Sequence, residues 1–416
     1  MLRNRPFALN AALPRRIALF LAALLVVSLG PVSTWADEDS KKPVAADEAD
    51  SKTDPVEKDY KVPEGSPKEL LTFIAQLDDK EDSIIASIQS PERTQEERLA
   101  SLNELKRLEE AIVTAADRVL KTNPEEAVTL QGVKAKFDAL LMLVRTREET
   151  ARDRLFKFAE AIVKDKRPAI ADEGQFRIFQ RDLAALTQQS PEQKQKYLDE
   201  LKAFVLRRPV DTEHFALANT VCQILEQGAP ELAADAYNVF GEHFAKSDHE
   251  ALARAAQLMQ GAGRRLALVG NSMDVEGTLL SGEEFDWSNY KGKVVLVDFW
   301  ATWCPPCVAE LPNMLKNYEL YHDKGFEIVG ISLDHQRGEL ERFIADKNVP
   351  WAQLFHEPEP GHETNPMAGR YGVTSIPFMV LVGRDGKAIS TNARGAELNR
   401  HLKTLFGPPA GGETGE

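Results

Sequence analysis

Two cysteines three positions apart are the residues of this chain best suited to carry out chemistry. Cys304 and Cys307 enclose two prolines, follow an apolar run at Val294–Trp300, and precede a helical pattern from Pro306 to about Tyr321. A Cys-x-x-Cys pair serves either zinc binding or thiol redox chemistry. Zinc normally takes four ligands, and the sequence offers no second Cys pair and no well-spaced His pair. Thiol–disulfide exchange is therefore the favoured chemistry, and no metal or other cofactor is predicted.

The predicted position of the pair at the start of a helix gives the two sulfur atoms different tasks. Free N–H groups and the helix dipole at a helix N-terminus favour negative charge, which makes Cys304 the better nucleophile. Cys307 lies one turn further on the same side, from where it can attack a mixed disulfide formed at Cys304. Pro305 and Pro306 fit the first helical turn but also remove two N–H donors. The sequence alone leaves the sign of their effect on the redox potential open.

Further motifs accompany the cysteine pair. The first motif, Gly292–Cys307, contains the apolar run and ends on the cysteine pair, and Glu310–Pro312 extends this motif into the predicted helix. Two more motifs follow: Thr374–Pro377, predicted to form a loop, and Gly383–Lys387, predicted to form a tight turn. Together these motifs resemble the thioredoxin superfamily, and within it the extracytoplasmic branch of TlpA- and ResA-like proteins. Thr374–Pro377 matches the cis-proline loop of that family. The resemblance extends from about Gly270 to Gly407.

The resemblance implies a role for each matching residue. Cys304 would be the attacking thiol and Cys307 the resolving thiol of a redox-active disulfide. Asp298 would be the buried acid that accepts or relays the proton of Cys307, and a charge within an apolar run is costly unless it serves a purpose. Trp303 would shield the site and contact the substrate, and Ile376–Pro377 would lie against the disulfide and bind an extended client segment.

The resemblance also implies a function. The chain would be an extracytoplasmic protein thiol–disulfide oxidoreductase that reduces client disulfides, with apocytochrome c as one conceivable client, and that is recharged by a membrane electron-donor thiol protein. A disulfide-forming oxidase would use the same residues with the opposite electron flow. A peroxiredoxin-like peroxidase needs Pro-x-x-x-Thr-x-x-Cys. Counting back from Cys304 gives Ala301 and Val297 where Thr and Pro belong, so this alternative fails.

Other chemically active residues have simpler interpretations. Cys222 lies on an apolar helix face and is predicted to be a small buried hydrophobe, with an intermolecular disulfide as the alternative. Glu310 either tunes the thiols or is a solvated helix residue. Metal binding is disfavoured for three residues of a Pro- and Glu-rich loop because their spacing is irregular: His356, His362 and Glu363.

The N-terminus has the layout of a secretory signal peptide. Arg15 and Arg16 precede an uncharged stretch at Ile17–Ala36, and Thr34 and Ala36 place small residues at the −3 and −1 positions of a cleavage site. Cleavage after residue 36 is predicted, with an uncleaved membrane tether as the alternative. The apolar core is shorter than the roughly 20 residues that span a bilayer. In either case the protein is expected to act outside the cytoplasm.

The remaining sequence predicts an all-α domain followed by an α/β thioredoxin-fold domain, a central mixed sheet flanked by helices. Residues 37–65 are acidic and nearly free of large apolar side chains, which predicts a disordered linker. Residues 66–262 show apolar side chains at three- and four-residue spacing, which predicts a helical domain. Residues 263–410 alternate strand and helix patterns, which predicts the thioredoxin-like domain. Glycines divide residues 269–287 into short apolar pieces that suggest a β-hairpin.

Helix starts within the helical domain carry recognisable signals. Ser66, Asn123 and Ser190 each precede a Pro, with an acid or amide in the first turn, as in a capping box. Ser90–Pro91 is predicted to open a further helix.

Charge and composition limit the partners. The 416-residue chain has a formal net charge of −14 and three cysteines. An acidic chain repels nucleic-acid phosphates, so nucleic-acid binding is disfavoured. Disulfide-bearing client proteins and a thiol electron donor are the expected partners. The helical half is expected to set client choice or oligomeric state. In the alternative reading it is a client-binding scaffold, and the redox domain is accessory.

Overall fold

A computed structural model describes residues 60–358 and 365–408. The predicted signal segment, most of the predicted linker, and His362 and Glu363 lie outside the described residues. Within the described ranges, no helix is both long and apolar enough to cross a membrane. The chain divides into two compact units, Met1–Ala185 and Leu186–Glu416.

The first unit is built from helices, which confirms the all-α prediction for this part of the chain. Its helices are α1 (Pro67–Gln89), α2 (Gln95–Lys121), α3 (Glu126–Arg145), α4 (Ala151–Ile162) and α5 (Pro168–Asp182). Their apolar faces meet in one core that contains Leu108, Phe137 and Leu140. The three- and four-residue spacing thus produces helices that bury one face each.

Two of the predicted helix starts are confirmed, and two are wrong. Ser66 and Ser190 form complete capping boxes. Asn123 does not cap α3, because its φ of 45° places it in the left-handed region and the helix begins at Glu126. Ser90 ends α1 instead of opening α2, which begins after a capping box at Thr94.

The second unit begins with four helices and continues with a sheet. The helices are α6 (Pro191–Leu206), α7 (Thr212–Gly228), α8 (Pro230–Phe244) and α9 (Glu250–Leu266). The strands are β1 (Val294–Trp300), β2 (Phe326–Ser332), β3 (Ala352–Leu354), β4 (Phe378–Val382) and β5 (Ala388–Ser390). The predicted domain boundary at residue 262 falls inside α9 and stays a prediction.

The sheet has the order β3-β2-β1-β4-β5, with β1 at its centre. β1 pairs in parallel with β2 and antiparallel with β4, and β5 pairs antiparallel with β4. Helices α10 (Pro305–Tyr321), α11 (Arg337–Lys347), α12 (Pro366–Arg370) and α13 (Gly395–Phe406) surround it. This mixed sheet with flanking helices confirms the predicted thioredoxin fold.

Strand β1 is buried along its whole length, because side chains cover both faces of the sheet. Val294 and Leu296 pack in a cluster with Leu311 and Met314 of α10. Val295, Val297 and Phe299 pack in a cluster on the opposite face. Since side chains alternate along a strand, Asp298 lies on the same face as Leu296, the one that α10 covers.

The predicted hairpin at residues 269–287 is reduced to a single antiparallel bridge between Thr278 and Glu284. Gly282, with a positive φ angle, lies in the turn between these two residues, and Gly277, also at positive φ, directly precedes Thr278. Val269 and Ser272 instead bridge to Ala388 and Lys387, at the β5 edge of the sheet. This segment therefore pairs mainly with the rest of the fold.

Candidate active site

The cysteine pair lies where β1 leads into α10. Cys304 is the N-cap residue of α10, and a disulfide bond joins it to Cys307. The backbone N–H of Cys307 donates a hydrogen bond of 3.3 Å to Cys304 Sγ. Both cysteines are 4% exposed and share a cluster with Trp300 and Ala301. The helix N-terminus predicted for Cys304 is therefore observed.

Asp298 is buried beneath the first turns of α10. It is 4% exposed, and its Oδ1 makes no hydrogen bond to any described residue. Burial raises the pKa of Asp298 from 3.8 to about 8, with a smaller contribution from the negative charge of Glu310. An acid with this pKa changes protonation close to neutral pH, which suits a proton acceptor or donor.

Glu310 holds a fixed position on α10, between the site and α13. Its Oε1 accepts hydrogen bonds of 2.7 Å from the backbone N–H of Gly395 and 2.7 Å from Nδ2 of Asn313. The carboxylate is therefore ordered, which argues against the simple solvated interpretation. The negative charge of Glu310 raises the pKa of the buried Asp298. Glu310 lies near this acid because it is about one helical turn beyond Cys307 on α10.

The loop at Thr374–Pro377 closes the site from the side of β4. Ile376 packs against the cluster that contains both cysteines. The Ile376–Pro377 peptide bond is cis, as the resemblance implies. Ile376 and Pro377 are half-buried, which leaves part of each side chain accessible beside the disulfide.

The two tryptophans near the pair have different surroundings. Trp303 is 56% exposed directly before Cys304, so its indole presents an apolar surface at the mouth of the site. Trp300 is buried, and its Nε1 donates a hydrogen bond of 2.9 Å to Oε1 of Gln353. Trp300 is thus part of the core, whereas Trp303 lies at the surface beside the cysteine pair.

Asp334 is a buried residue of the site that sequence reasoning missed. Its carboxylate accepts hydrogen bonds from the backbone N–H and the hydroxyl of Thr302, at 3.1 and 2.6 Å, and from the Ser332 hydroxyl at 2.8 Å. Thr302 lies two residues before Cys304, so Asp334 anchors the loop that leads into the cysteine pair. The available signal was an acid two residues after β2, because parallel β1 and β2 end at the same edge of the sheet.

The remaining candidates do not belong to the cluster that contains the cysteine pair. Cys222 is fully buried in α7, and burial raises the pKa of its thiol. The described residues contain no group of three or more His, Cys, Asp or Glu side chains that could hold a metal ion. His356 is described, but its predicted neighbours His362 and Glu363 are not.

Comparisons with known proteins place this geometry in a family. A family model described as thioredoxin-like matches residues 292–388, which include β1, the cysteine pair and the Thr374–Pro377 loop. The thiol-disulfide oxidoreductase ResA of Bacillus thuringiensis subsp. konkukian is 31% identical over 126 residues, which are 30% of this chain and 69% of the relative. The chain belongs to the ResA-like thiol-disulfide oxidoreductases of the thioredoxin superfamily. ResA of Geobacillus kaustophilus is 28% identical over 143 residues, or 34% of this chain and 79% of the relative.

Solved structures with a similar fold cover the same fraction of this oxidoreductase. The thioredoxin domain of a thiol-disulfide oxidoreductase from Bacteroides vulgatus is 29% identical and covers 33% of this chain and 96% of its own, with a TM-score of 0.30. A thiol:disulfide interchange protein from Bacteroides sp. is 28% identical, with 35% and 94% coverage and a TM-score of 0.31. The thiol-disulfide oxidoreductase assignment rests on the ResA relatives and the family model, and most of the chain lies outside the matched residues.

Proposed function

We propose that this oxidoreductase reduces disulfide bonds of client proteins outside the cytoplasm through the Cys304–Cys307 pair. The observation that carries the proposal is a disulfide at the start of α10, with the buried acid Asp298 beneath that helix and the partly accessible Ile376 against the cysteines. The ResA names of the relatives support the same chemistry. The roles of the individual residues belong to the proposal.

The reaction runs in two exchange steps. The Cys304 thiolate attacks one sulfur of the client disulfide, forms a mixed disulfide and releases the other client sulfur as a thiolate. Cys307 then gives its proton to ionised Asp298 and attacks Cys304 Sγ, which forms the Cys304–Cys307 disulfide and releases the second client thiolate. The client gains two electrons and the pair loses two. A reduced dithiol protein restores the pair by the same exchange in reverse.

The surroundings of Cys304 support the reducing direction. Its Sγ accepts a hydrogen bond from the N–H of Cys307, while Pro305 and Pro306 have no N–H to offer. Residues 301–311 include no Lys, Arg or His, and the two elements that flank the pair, β1 and α10, carry the acids Asp298 and Glu310. Apart from the helix N-terminus and this one N–H, the surroundings give a Cys304 thiolate little stabilisation. Because a stabilised reduced form makes a strong oxidant, a poorly stabilised thiolate makes the pair a reductant.

Location and partners extend the same proposal. The signal-like N-terminus supports export, followed by release or by tethering to the membrane through residues 1–36. In an oxidising compartment a reductant needs a supply of electrons, which a membrane thiol protein would provide. Apocytochrome c, whose cysteines must be reduced before haem attachment, is one candidate client.

The reduction potential of the Cys304–Cys307 pair tests the direction. Equilibration of the purified chain with defined thiol–disulfide mixtures is expected to give a reduction potential of about −270 mV, as in reducing family members. A value near about −120 mV, as in strong oxidants, would instead assign a disulfide-forming oxidase. The Cys222→Ala variant, measured in parallel, controls for the third thiol.

A further inference from the structure

The backbone of helix α9 comes unusually close to the backbone of the redox fold. A Cβ added to Gly261 would lie 2.4 Å from the backbone N of Gly372 and 2.5 Å from the carbonyl O of Gly369. Conversely, a Cβ on Gly372, whose φ is +56°, would lie 2.3 Å from the N of Ala262. Side chains normally keep backbones further apart, so only glycine on both sides permits this approach.

A second contact fixes the same junction. Arg264 Nε, one turn along α9, donates a hydrogen bond of 2.7 Å to the carbonyl O of Arg370, the last residue of α12. Leu268, just beyond α9, is buried in the cluster that contains Met367 and Ala368 of α12. Three different kinds of contact therefore join α9 and the residues just after it to α12 and the residues that follow α12.

Helix α9 is itself held rigidly by its neighbours in the helical segment. Gly263 lies against α8, where an added Cβ would meet Oδ1 of Asn238 at 2.3 Å and the carbonyl O of Ala234 at 3.1 Å. Arg265 forms a salt bridge of 2.9 Å with Glu226 of α7. Close-packed interiors transmit displacement instead of absorbing it, so α7, α8 and α9 form one support.

The supported segment leads directly into the client-contact loop of the redox site. Thr374 follows Gly372 by two residues, and Ile376, which packs against the cysteine cluster, follows by four. Val373 and Tyr371 are buried in the same cluster as Leu268. The chain between Gly372 and Ile376 is too short to move independently of its anchored end.

We propose that α9 positions the Thr374–Pro377 loop, through the Gly261–Gly372 backbone contact, so that the loop can bind an extended client segment. Gly261, Gly372 and Arg264 are positioning residues, since none of them lies among the residues that contact the disulfide. The inference rests on the proposed function, because it assumes that this loop contacts client proteins. If α9 positions this loop, the helices before the redox fold contribute to client recognition.

The variant Gly261→Ala tests the proposal in the full chain. Alanine favours a helix more than glycine does, so α9 itself is retained, while the new Cβ must push α9 away from α12. For reduction of a disulfide-bonded protein such as insulin, KM is expected to rise by about tenfold or more, with kcat nearly unchanged. Reduction of a small aromatic disulfide and the reduction potential of the pair are expected to stay at wild-type values, because neither requires the loop to bind a chain.

Two further variants complete the test. Gly338→Ala in α11 places a Cβ where nothing lies within 4 Å, so it is expected to match the wild type on both substrates. Arg264→Gln removes only the bond to Arg370 and is expected to raise the same KM by a smaller factor, which keeps the proposal testable if Gly261→Ala fails to fold. An unchanged protein KM, or an equal loss on both substrates, would overturn the inference. Failure of the wild type to reduce the protein substrate would overturn the proposed function itself, and this inference with it.

Discussion

Cys304→Ser is expected to abolish disulfide reduction, with a loss of turnover of more than about 10³-fold. The serine hydroxyl is not ionised near neutral pH and cannot form the mixed disulfide on which the mechanism depends. Cys307 lies inside the first turn of α10, behind the N-cap position of residue 304, and is poorly placed to attack a client in its stead. Steady-state reduction of insulin, with an independent thiol reductant as electron source, measures the effect.

The chain provides its own matched control for this loss. Cys222→Ala removes the third cysteine, which is fully buried in α7, and is expected to leave the rate unchanged. If the Cys304→Ser variant kept a rate within a few-fold of the wild type, Cys304 would not be the nucleophile. A comparable loss in Cys222→Ala would likewise contradict the assignment of catalysis to the Cys304–Cys307 pair.

Asp298→Asn is expected to slow the resolving step by about 10²- to 10⁴-fold at neutral pH, the usual contribution of a positioned proton acceptor. In the wild type, the rate of mixed-disulfide breakdown should rise with pH through about 8, the pKa to which burial raises this carboxyl. Asparagine cannot take the proton from Cys307, so that rise should vanish. Single-turnover mixing of the reduced enzyme with a disulfide-bonded peptide resolves the step.

Stability gives the Asp298 prediction a second, independent readout. The folded pKa of about 8 lies above the ordinary value of 3.8, so between these pH values the folded state binds more protons than the unfolded state. The contribution of Asp298 to the free energy of unfolding is therefore fully present below about pH 4, and it is lost as the pH rises toward 8. The disulfide-intact Asn variant should gain stability relative to the wild type across this window. A pH-independent difference between the two would contradict the buried, protonated acid.

Glu310→Gln separates charge from geometry in the same experiment. Glutamine can still accept the hydrogen bonds from Gly395 and Asn313, but it removes the negative charge that raises the pKa of Asp298. The midpoint of the rate's rise with pH should therefore move to lower pH. A midpoint that moves upward, or not at all, would show that Glu310 does not act on this acid.

The local sequence predicted the redox fold because each element carried its own signal. An apolar run broken only by Asp298 gave β1 with the observed bounds, and Pro306, between the two cysteines, marked the start of α10 to within one residue. Asp298 was recognisable as a site residue because burying a charge within a strand is costly unless it serves a function. Ser66 and Ser190 likewise carried complete capping boxes, and both helices begin there.

Features that depend on long-range contacts were not predictable in this way. Asp334 became part of the site only because parallel strands bring Thr302 next to it, 32 positions earlier in the chain. Gly261 and Gly372 are ordinary glycines in the sequence, and their contact requires the tertiary fold. At Asn123 a left-handed backbone conformation overrode a capping pattern that looked complete.

Capture of a client by the Cys307→Ser variant tests the central claim most directly. Purified, reduced variant is mixed with an excess of a peptide that contains one disulfide, and adducts are mapped by mass spectrometry. The mechanism predicts one peptide per chain, bound through Cys304 and released by dithiothreitol, because the mixed disulfide forms but cannot be resolved. The Cys304→Ser variant should give no adduct. Absence of an adduct with Cys307→Ser, or equal capture through Cys307 in the Cys304→Ser variant, would contradict exchange led by Cys304.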